Sequence, residues 1–295
     1  MKLLYTEYSL WELDFIKNEL FDTIQLDIEI LNRILFKQLL ERSDIINNAI
    51  LVVNDQYQFN DIVDVVKHIK PIAIFYLSDE VGQQPRITEL DQYTKVFFRQ
   101  YNHKHYMYSH NNFQIPLGYA ATFMSGKKSL TIPRKLIKDR EIHCSFIGSM
   151  KSDRSHMATI IKKHITHTNI LFVNNNWNID TLPYSPESCF TLYTNSIFVT
   201  NGRGNCSLDC FRIYEAIVAG AIPVIVGSVD EINATFQYNN DVPPLIHDTS
   251  WEKVIMKCRV LLLDKDILQK IQDDLFIWWK RQIEFVQSRI LEASS

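Results

Sequence analysis

Short, mostly apolar runs recur along the chain, separated by stretches of helical period. The runs are "KLLY" (2–5), "AILVVN" (49–54), "PIAIFYL" (71–77), "KVFFRQY" (95–101), "CSFIGS" (144–149), "ILFV" (170–173), "SIFVTNG" (196–202) and "AIPVIVG" (221–227). They do not alternate apolar with polar, which predicts strands buried on both faces, as in parallel sheets. Between them, "NDIVDVVKHIK" (60–70) carries Ile62, Val65, Val66 and Ile69 on one helical face. "DRSHMATIIKKHI" (153–165) predicts a helix capped by Ser152 or Asp153. "SLDCFRIYEAIVAG" (207–220) predicts another, ended by Gly220. The tail 266–290 reads as one long amphipathic helix anchored by Trp278 and Trp279. Strand–helix alternation in both halves predicts an α/β protein with parallel sheets.

The chain has 295 residues, which suits two domains of about 150 residues better than one core. The segment 118–140, "GYAATFMSGKKSLTIPRKLIKDR", has weak periodicity and carries Gly, Ser, Lys and Pro, so the boundary is expected there. The expected division is a first domain over 1–125, a second over 126–265, and a C-terminal helix over 266–295 packing back. A hydrophobic content of 46% with 22% charged residues is ordinary for a globular protein. Nothing in the net charge of −3 suggests a general nucleic-acid binder, although a local basic cleft can hide inside a neutral total. Cys144, Cys189, Cys206, Cys210 and Cys258 are odd in number and irregular in spacing, so no disulfide framework is expected. Cys206 and Cys210 have no second pair to complete a zinc site. Glu7 and Glu12 interrupt any N-terminal signal core, and no run reaches the roughly 18 apolar residues of a membrane span. The expectation is a cytoplasmic protein with neither a membrane nor a nucleic-acid partner.

The chemistry concentrates in "NGRGNCSLDCFRIYEAIVAG" (201–220). A polar loop runs into a helix expected to begin near Ser207, where free N–H groups and the helix dipole favour an anion. Arg212 and Glu215 lie three apart and share a helix face. Arginine offers a fixed fork of donors to phosphate oxygens, and a glutamate accepts the two hydroxyls of a ribose. The same two residues also admit a plain surface ion pair. Upstream, Gly148 allows close backbone approach of a ligand, and Arg154 follows one turn into the next helix.

"SLDCFRIYEAIVAGAIPVIVGS" resembles the donor-site motif of the exostosin-like glycosyltransferases. Arg212, Glu215, Ala216, Gly220, Ile222, Pro223, Val224 and Ile225 follow that pattern, and Cys210 stands where the family usually has Ser. "CSFIGSMKSDRSHM" (144–157) resembles the segment that opens the family's nucleotide-binding half. "FYLSDE" (75–80), "VFFRQYN" (96–102) and "IPLGY" (115–119) resemble the branch that transfers xylose. That branch includes animal enzymes acting on ribitol-phosphate glycans and large-DNA-virus enzymes that build glycans on capsid protein.

The resemblance covers 75–225 and implies the GT-B arrangement, two Rossmann-like domains facing across a cleft. It implies an inverting, metal-independent transfer from a UDP-sugar, UDP-xylose in this branch, to a glycan hydroxyl with a β linkage. Other UDP-sugars and a non-catalytic binding partner of the same fold remain alternatives. The donor-binding residues implied are Gly148, Arg154, Arg203, Asn205, Ser207, Cys210, Arg212 and Glu215, with Arg99 from the first domain. An inverting transfer needs one base for the acceptor hydroxyl. Asp79 and Glu80 sit just past the strand expected at 71–77. Adjacent carboxylates on an extended chain point opposite ways, so one of them serves, with Asp79 favoured. His103, His105 and His110 lie in a His/Tyr-rich loop expected to line the acceptor side, and Asn174, Asn175, Asn176 and Trp177 are expected near the uracil. No Asp-x-Asp pair in the second half offers a metal site, and no G-x-G-x-x-G follows a strand, which excludes a dinucleotide fingerprint.

Overall fold

The structure is a computed structural model that describes all residues except 22–25, 46, 48, 104, 105, 107, 108, 152, 174–183 and 295. Ser152, His105 and Asn174 to Trp177 therefore lie outside the described residues. The chain divides into two compact units. The first comprises Met1–Leu117, Tyr238–Asn240 and Gln282–Ser295; the second comprises Gly118–Gln237 and Asp241–Arg281.

In the first unit the chain runs β1 (Lys2–Thr6), the single turn α1 (Leu13–Phe15), β2 (Asp27–Leu31), α2 (Arg33–Gln38), β3 (Ala49–Asn54), α3 (Phe59–Ile69), β4 (Ala73–Leu77), β5 (Val96–Arg99) and β6 (Asn112–Gln114). The strands form one parallel sheet in the order β2-β1-β3-β4-β5-β6. Every residue of β3, β4 and β5 is buried, which explains their unbroken apolar runs. Helix α3 covers the sheet with Ile62, Val65, Val66 and Ile69, the face read from its period.

The second unit contains β7 (Ile142–Gly148), α4 (Arg154–His164), β8 (Thr168–Phe172), α5 (Pro186–Thr194), β9 (Ser196–Asn201), α6 (Phe211–Val218), β10 (Ile222–Val226), α7 (Val229–Phe236), β11 (Ile246–Asp248), α8 (Trp251–Leu261) and most of α9 (Lys265–Ser294). Its sheet is again wholly parallel, in the order β11-β10-β9-β7-β8. Trp278 and Trp279 on α9 are fully buried. Their indole N–H groups donate to the Asp241 carbonyl at 2.9 Å and to Ser129 Oγ at 2.8 Å. From Gln282 onward α9 belongs to the first unit, where Gln287 Nε2 donates to the Glu19 carbonyl at 2.7 Å.

Two helix starts differ from the sequence reading. α6 begins at Phe211, not Ser207, because the chain is still extended at Cys210, with φ −160° and ψ 143°. There the Asp209 N–H donates to Ser207 Oγ at 3.0 Å, and the Asp209 carboxylate accepts from Tyr214 Oη at 2.7 Å. Asp153 precedes α4 but does not cap it with its side chain; its Oδ2 accepts from Trp251 Nε1 at 2.6 Å instead. Gly220 ends α6 at φ +74°, and a Cβ there would meet Arg140 Nη2 at 2.6 Å. Among the described residues no helix is long and apolar enough to cross a membrane.

Both sheets share one topological property. In the first, the chain leaves β1 for β2 on one side and then returns to β3 on the other. In the second, it leaves β7 for β8 and returns to β9. A crevice opens at the carboxyl ends of the strands where such an order reverses, and ligands of open α/β sheets bind there. The two crevices are β1/β3 and β7/β9.

Candidate functional site

At the β7/β9 crevice two arginines converge. Arg212 leaves the first turn of α6 and spans both strand ends: Nε donates to the Ile147 carbonyl of β7 at 2.9 Å, and Nη1 to Asn201 Oδ1 of β9 at 2.9 Å. Arg154 opens α4 and is 4% exposed. Its Nη1 donates to the Ser149 carbonyl and hydroxyl at 3.0 and 3.1 Å, and its Nη2 to the Arg203 carbonyl at 2.9 Å. Its buried Nε has no acceptor. Phe146 carries both guanidinium groups, at 4.9 Å from Arg212 and 5.7 Å from Arg154, a stacking that suits arginine better than lysine.

Gly148 lies between them. A Cβ at this position would stand 2.8 Å from Arg212 Nη2 and 2.9 Å from Phe146 Cζ. Both cations are thus held by neutral acceptors, and among the described residues neither forms an ion pair with a carboxylate. Burial, together with the neighbouring Arg212 charge, pushes the Arg154 pKa down. Two close cations without a carboxylate partner are an arrangement that an anion relieves.

Glu215 follows one turn later on α6 and is half-buried. Its Oε1 accepts the Ala120 N–H at 3.3 Å. Burial pushes its carboxyl up to about 7, against the opposing pull of Arg212 and the Ala120 N–H. Arg212 and Glu215 therefore do not form the surface ion pair that their spacing also allowed. Cys210 is the residue before α6, and its Sγ lies 3.5 Å from Arg212 Nη1.

The rest of the loop is arranged differently. The exposed Arg203 side chain makes a two-pronged ion pair with Glu231 of α7, at 2.6 and 2.9 Å. What Arg203 brings to the crevice is its carbonyl, which holds Arg154. Asn205 Oδ1 accepts from Lys151 Nζ at 2.6 Å, bridging the loops after β9 and β7. The Ser207 carbonyl accepts the Gly204 N–H at 2.9 Å, closing the loop on itself. Phe146, Ser149 and Asn201 carry this geometry, and sequence reasoning did not single them out.

The first unit departs more from the reading. Asp79 is 1% exposed. Its carboxylate accepts from Gln83 N at 2.6 Å, Gln84 N at 3.3 Å, Tyr106 Oη at 2.8 Å and Tyr76 Oη at 3.4 Å. It ties the turn after β4 together. The chain there is not extended: Ser78 and Asp79 take φ of 65° and 56°, so the argument that neighbouring carboxylates point opposite ways fails. Glu80 is half-buried. Arg99 is fully buried under the Tyr106 ring at 4.9 Å, and it donates to the Tyr101 carbonyl. His103 packs on the same turn, with Nε2 donating to the Asp79 carbonyl at 2.9 Å, while His110 is exposed. Among the described residues no group of three His, Cys, Asp or Glu side chains is placed to hold a metal ion.

Solved structures share this fold over nearly the whole chain. An α1,3-fucosyltransferase matches with a TM-score of 0.51 at 12% identity, over 99% of this chain and 90% of that one. Anabaena HepE, solved with UDP and glucose, matches with a TM-score of 0.53 at 9% identity, over 99% and 98%. S. aureus TarM, solved with UDP, fondaparinux and α-GlcNAc-glycerol, matches with a TM-score of 0.55 at 10% identity, over 88% of this chain and 58% of that one. The fold is that of the GT-B glycosyltransferases. Residues 127–283 match the RXYLT1 C-terminal domain, and the chain belongs to that xylosyltransferase-related family. A search of curated proteins finds no match. The matched span holds both arginines, Gly148 and Glu215.

Proposed function

We propose that the protein is an inverting glycosyltransferase that moves xylose from UDP-xylose to a glycan hydroxyl, forming a β linkage. The observation that carries this reading is the pairing of Arg154 and Arg212 around Gly148 at the β7/β9 crevice, held by neutral acceptors. When the bond from the sugar to the β-phosphate breaks, UDP gains negative charge, and a preorganised pair of guanidinium groups stabilises that charge without a metal. Glu215 accepts the ribose hydroxyls when ionised. Gly148 lets the diphosphate approach the β7 end. The choice of xylose rests on the family of the second unit and on the resemblance of the first to the xylose branch.

The test is a panel of UDP-xylose, UDP-glucose, UDP-galactose, UDP-glucuronic acid and UDP-N-acetylglucosamine, followed by UDP release and by thermal shift. UDP-xylose is expected to stabilise the protein most and to be consumed fastest. Consumption of another donor with no response to UDP-xylose sinks the sugar assignment. No response to any of them, or to UDP, sinks the transferase reading.

A further inference from the structure

Strand β9 ends on Asn201, which is 3% exposed and uses both ends of its amide. Oδ1 accepts from Arg212 Nη1 at 2.9 Å, and Nδ2 donates to the Leu208 carbonyl at 3.3 Å. The amide can stand only one way round, because a guanidinium has no acceptor and a carbonyl has no donor. One side chain therefore ties the end of β9 both to the arginine and to the far end of the loop 202–208. That far end is firmly seated. Leu208 is buried, and a Cβ at Gly227, just past β10, would meet its Cδ1 at 2.7 Å. The next two residues serve the other arginine. A Cβ at Gly202 would stand 2.7 Å from Arg154 Cγ, and the Arg203 carbonyl accepts from Arg154 Nη2 at 2.9 Å. Asn201, Gly202 and Arg203 together thus set the places of both cations.

We propose that Asn201 is a positioning residue of the donor site: it fixes Arg212 at the strand end and leaves the guanidinium charge for the phosphate groups of the donor. The assignment rests on the glycosyltransferase reading above, and its basis is the choice of acceptor. The hydrogen-bond partners of Arg212 are the Ile147 carbonyl, the Asn201 amide, Cys210 and the Tyr193 side chain, and none of them is a carboxylate. An aspartate has nearly the shape of asparagine and would hold the guanidinium more strongly, by a charge-assisted bond. It would also neutralise the cation and set a negative charge close to the phosphates, where burial leaves the repulsion poorly screened. Its second oxygen would face the Leu208 carbonyl with no donor between them. An amide avoids both faults. Arg154 is held in the same way. Its acceptors are the Ser149 carbonyl and hydroxyl and the Arg203 carbonyl, and its buried Nε has none. A buried N–H left unfilled on the second cation is an independent sign that an anionic ligand completes the set.

The experiment uses the full chain with UDP as probe. UDP affinity is measured by calorimetry at low and high salt for wild type, Asn201→Asp and Asn201→Ala, with the melting curve of each. Asn201→Asp is expected to weaken UDP at least about tenfold. It is also expected to flatten the salt dependence of binding, because one cation has been neutralised. Asn201→Ala removes the tether but no charge, so it should weaken UDP about three- to tenfold and keep the wild-type salt dependence. Affinity of Asn201→Asp within about twofold of wild type overturns the assignment. So does equal weakening of the two variants with one common salt dependence, because Asn201 would then only close the loop. If Asn201→Asp melts early, Asn201→Ala decides: a loss with the wild-type salt dependence supports the assignment, and an unchanged affinity or a flattened salt dependence overturns it. Wild type that binds UDP beside variants that match it overturns this assignment alone. Wild type that binds no UDP overturns the transferase reading and this assignment with it.

Discussion

Each unit is built on its own parallel sheet with the same reversal of strand order, and the side chains at the two crevices differ. At β7/β9 two arginines rest on Phe146 with neutral groups as acceptors. At β1/β3 Glu12 is buried, which pushes its carboxyl up to about 8, and Asp55 is half-buried. A shared topology fixes where a ligand sits, and the side chains at the strand ends decide what it is. The cationic crevice suits a departing diphosphate.

The largest expected effect comes from emptying the cationic crevice. Arg212→Ala should lower kcat/KM for the UDP-sugar by about 100- to 1,000-fold, measured by UDP release, with the melting curve shifted far less. Arg212→Lys should recover little, because a single ammonium cannot reach both strand ends and still stack on Phe146. Next comes Gly148→Ala. Its Cβ would drive against Arg212 and Phe146, and displacement of the arginine by a fraction of an ångström should cost about tenfold or more in kcat/KM. If the variant is as active as wild type, the close approach drawn at β7 is wrong.

The third effect is a pH dependence. Glu215 is raised to about 7, above its unfolded range. UDP affinity should therefore strengthen as pH rises from 6 to 8 and the carboxylate forms. For stability the sign is opposite: the fold favours the protonated acid, so stability falls between the ordinary glutamate range and about pH 7. Calorimetric titration with UDP across that range should lose its pH dependence in Glu215→Gln, with weaker binding throughout. The smallest effect is at Arg203. Its exposed pair with Glu231 should be worth less than about 1 kcal/mol, and Arg203→Ala keeps the carbonyl that holds Arg154. UDP affinity should change by less than about threefold; a large loss would place the Arg203 side chain on the ligand.

The sequence made legible whatever is local. Strands β3, β4, β9 and β10 are buried on both faces and read as continuous apolar runs. The edge strand β2, "DIEIL", exposes Asp27 and reads as nothing in particular, and β6 and β11 are three residues each. Arg212, Glu215 and Gly148 were legible because spacing and a glycine carry their signal. Phe146 and Asn201 were not, because their part depends on where Arg212 lands. The turn that buries Asp79 was not legible, because Ser78 and Asp79 enter the left-handed region without a glycine to announce it.

The central claim is that the β7/β9 crevice binds the nucleotide diphosphate, and calorimetric titration of UDP into wild type and Arg212→Ala tests it most directly. The account predicts that wild type binds UDP and that the variant, with an unchanged fold by circular dichroism, binds at least about 100-fold more weakly. Equal affinity in the two proteins would contradict it.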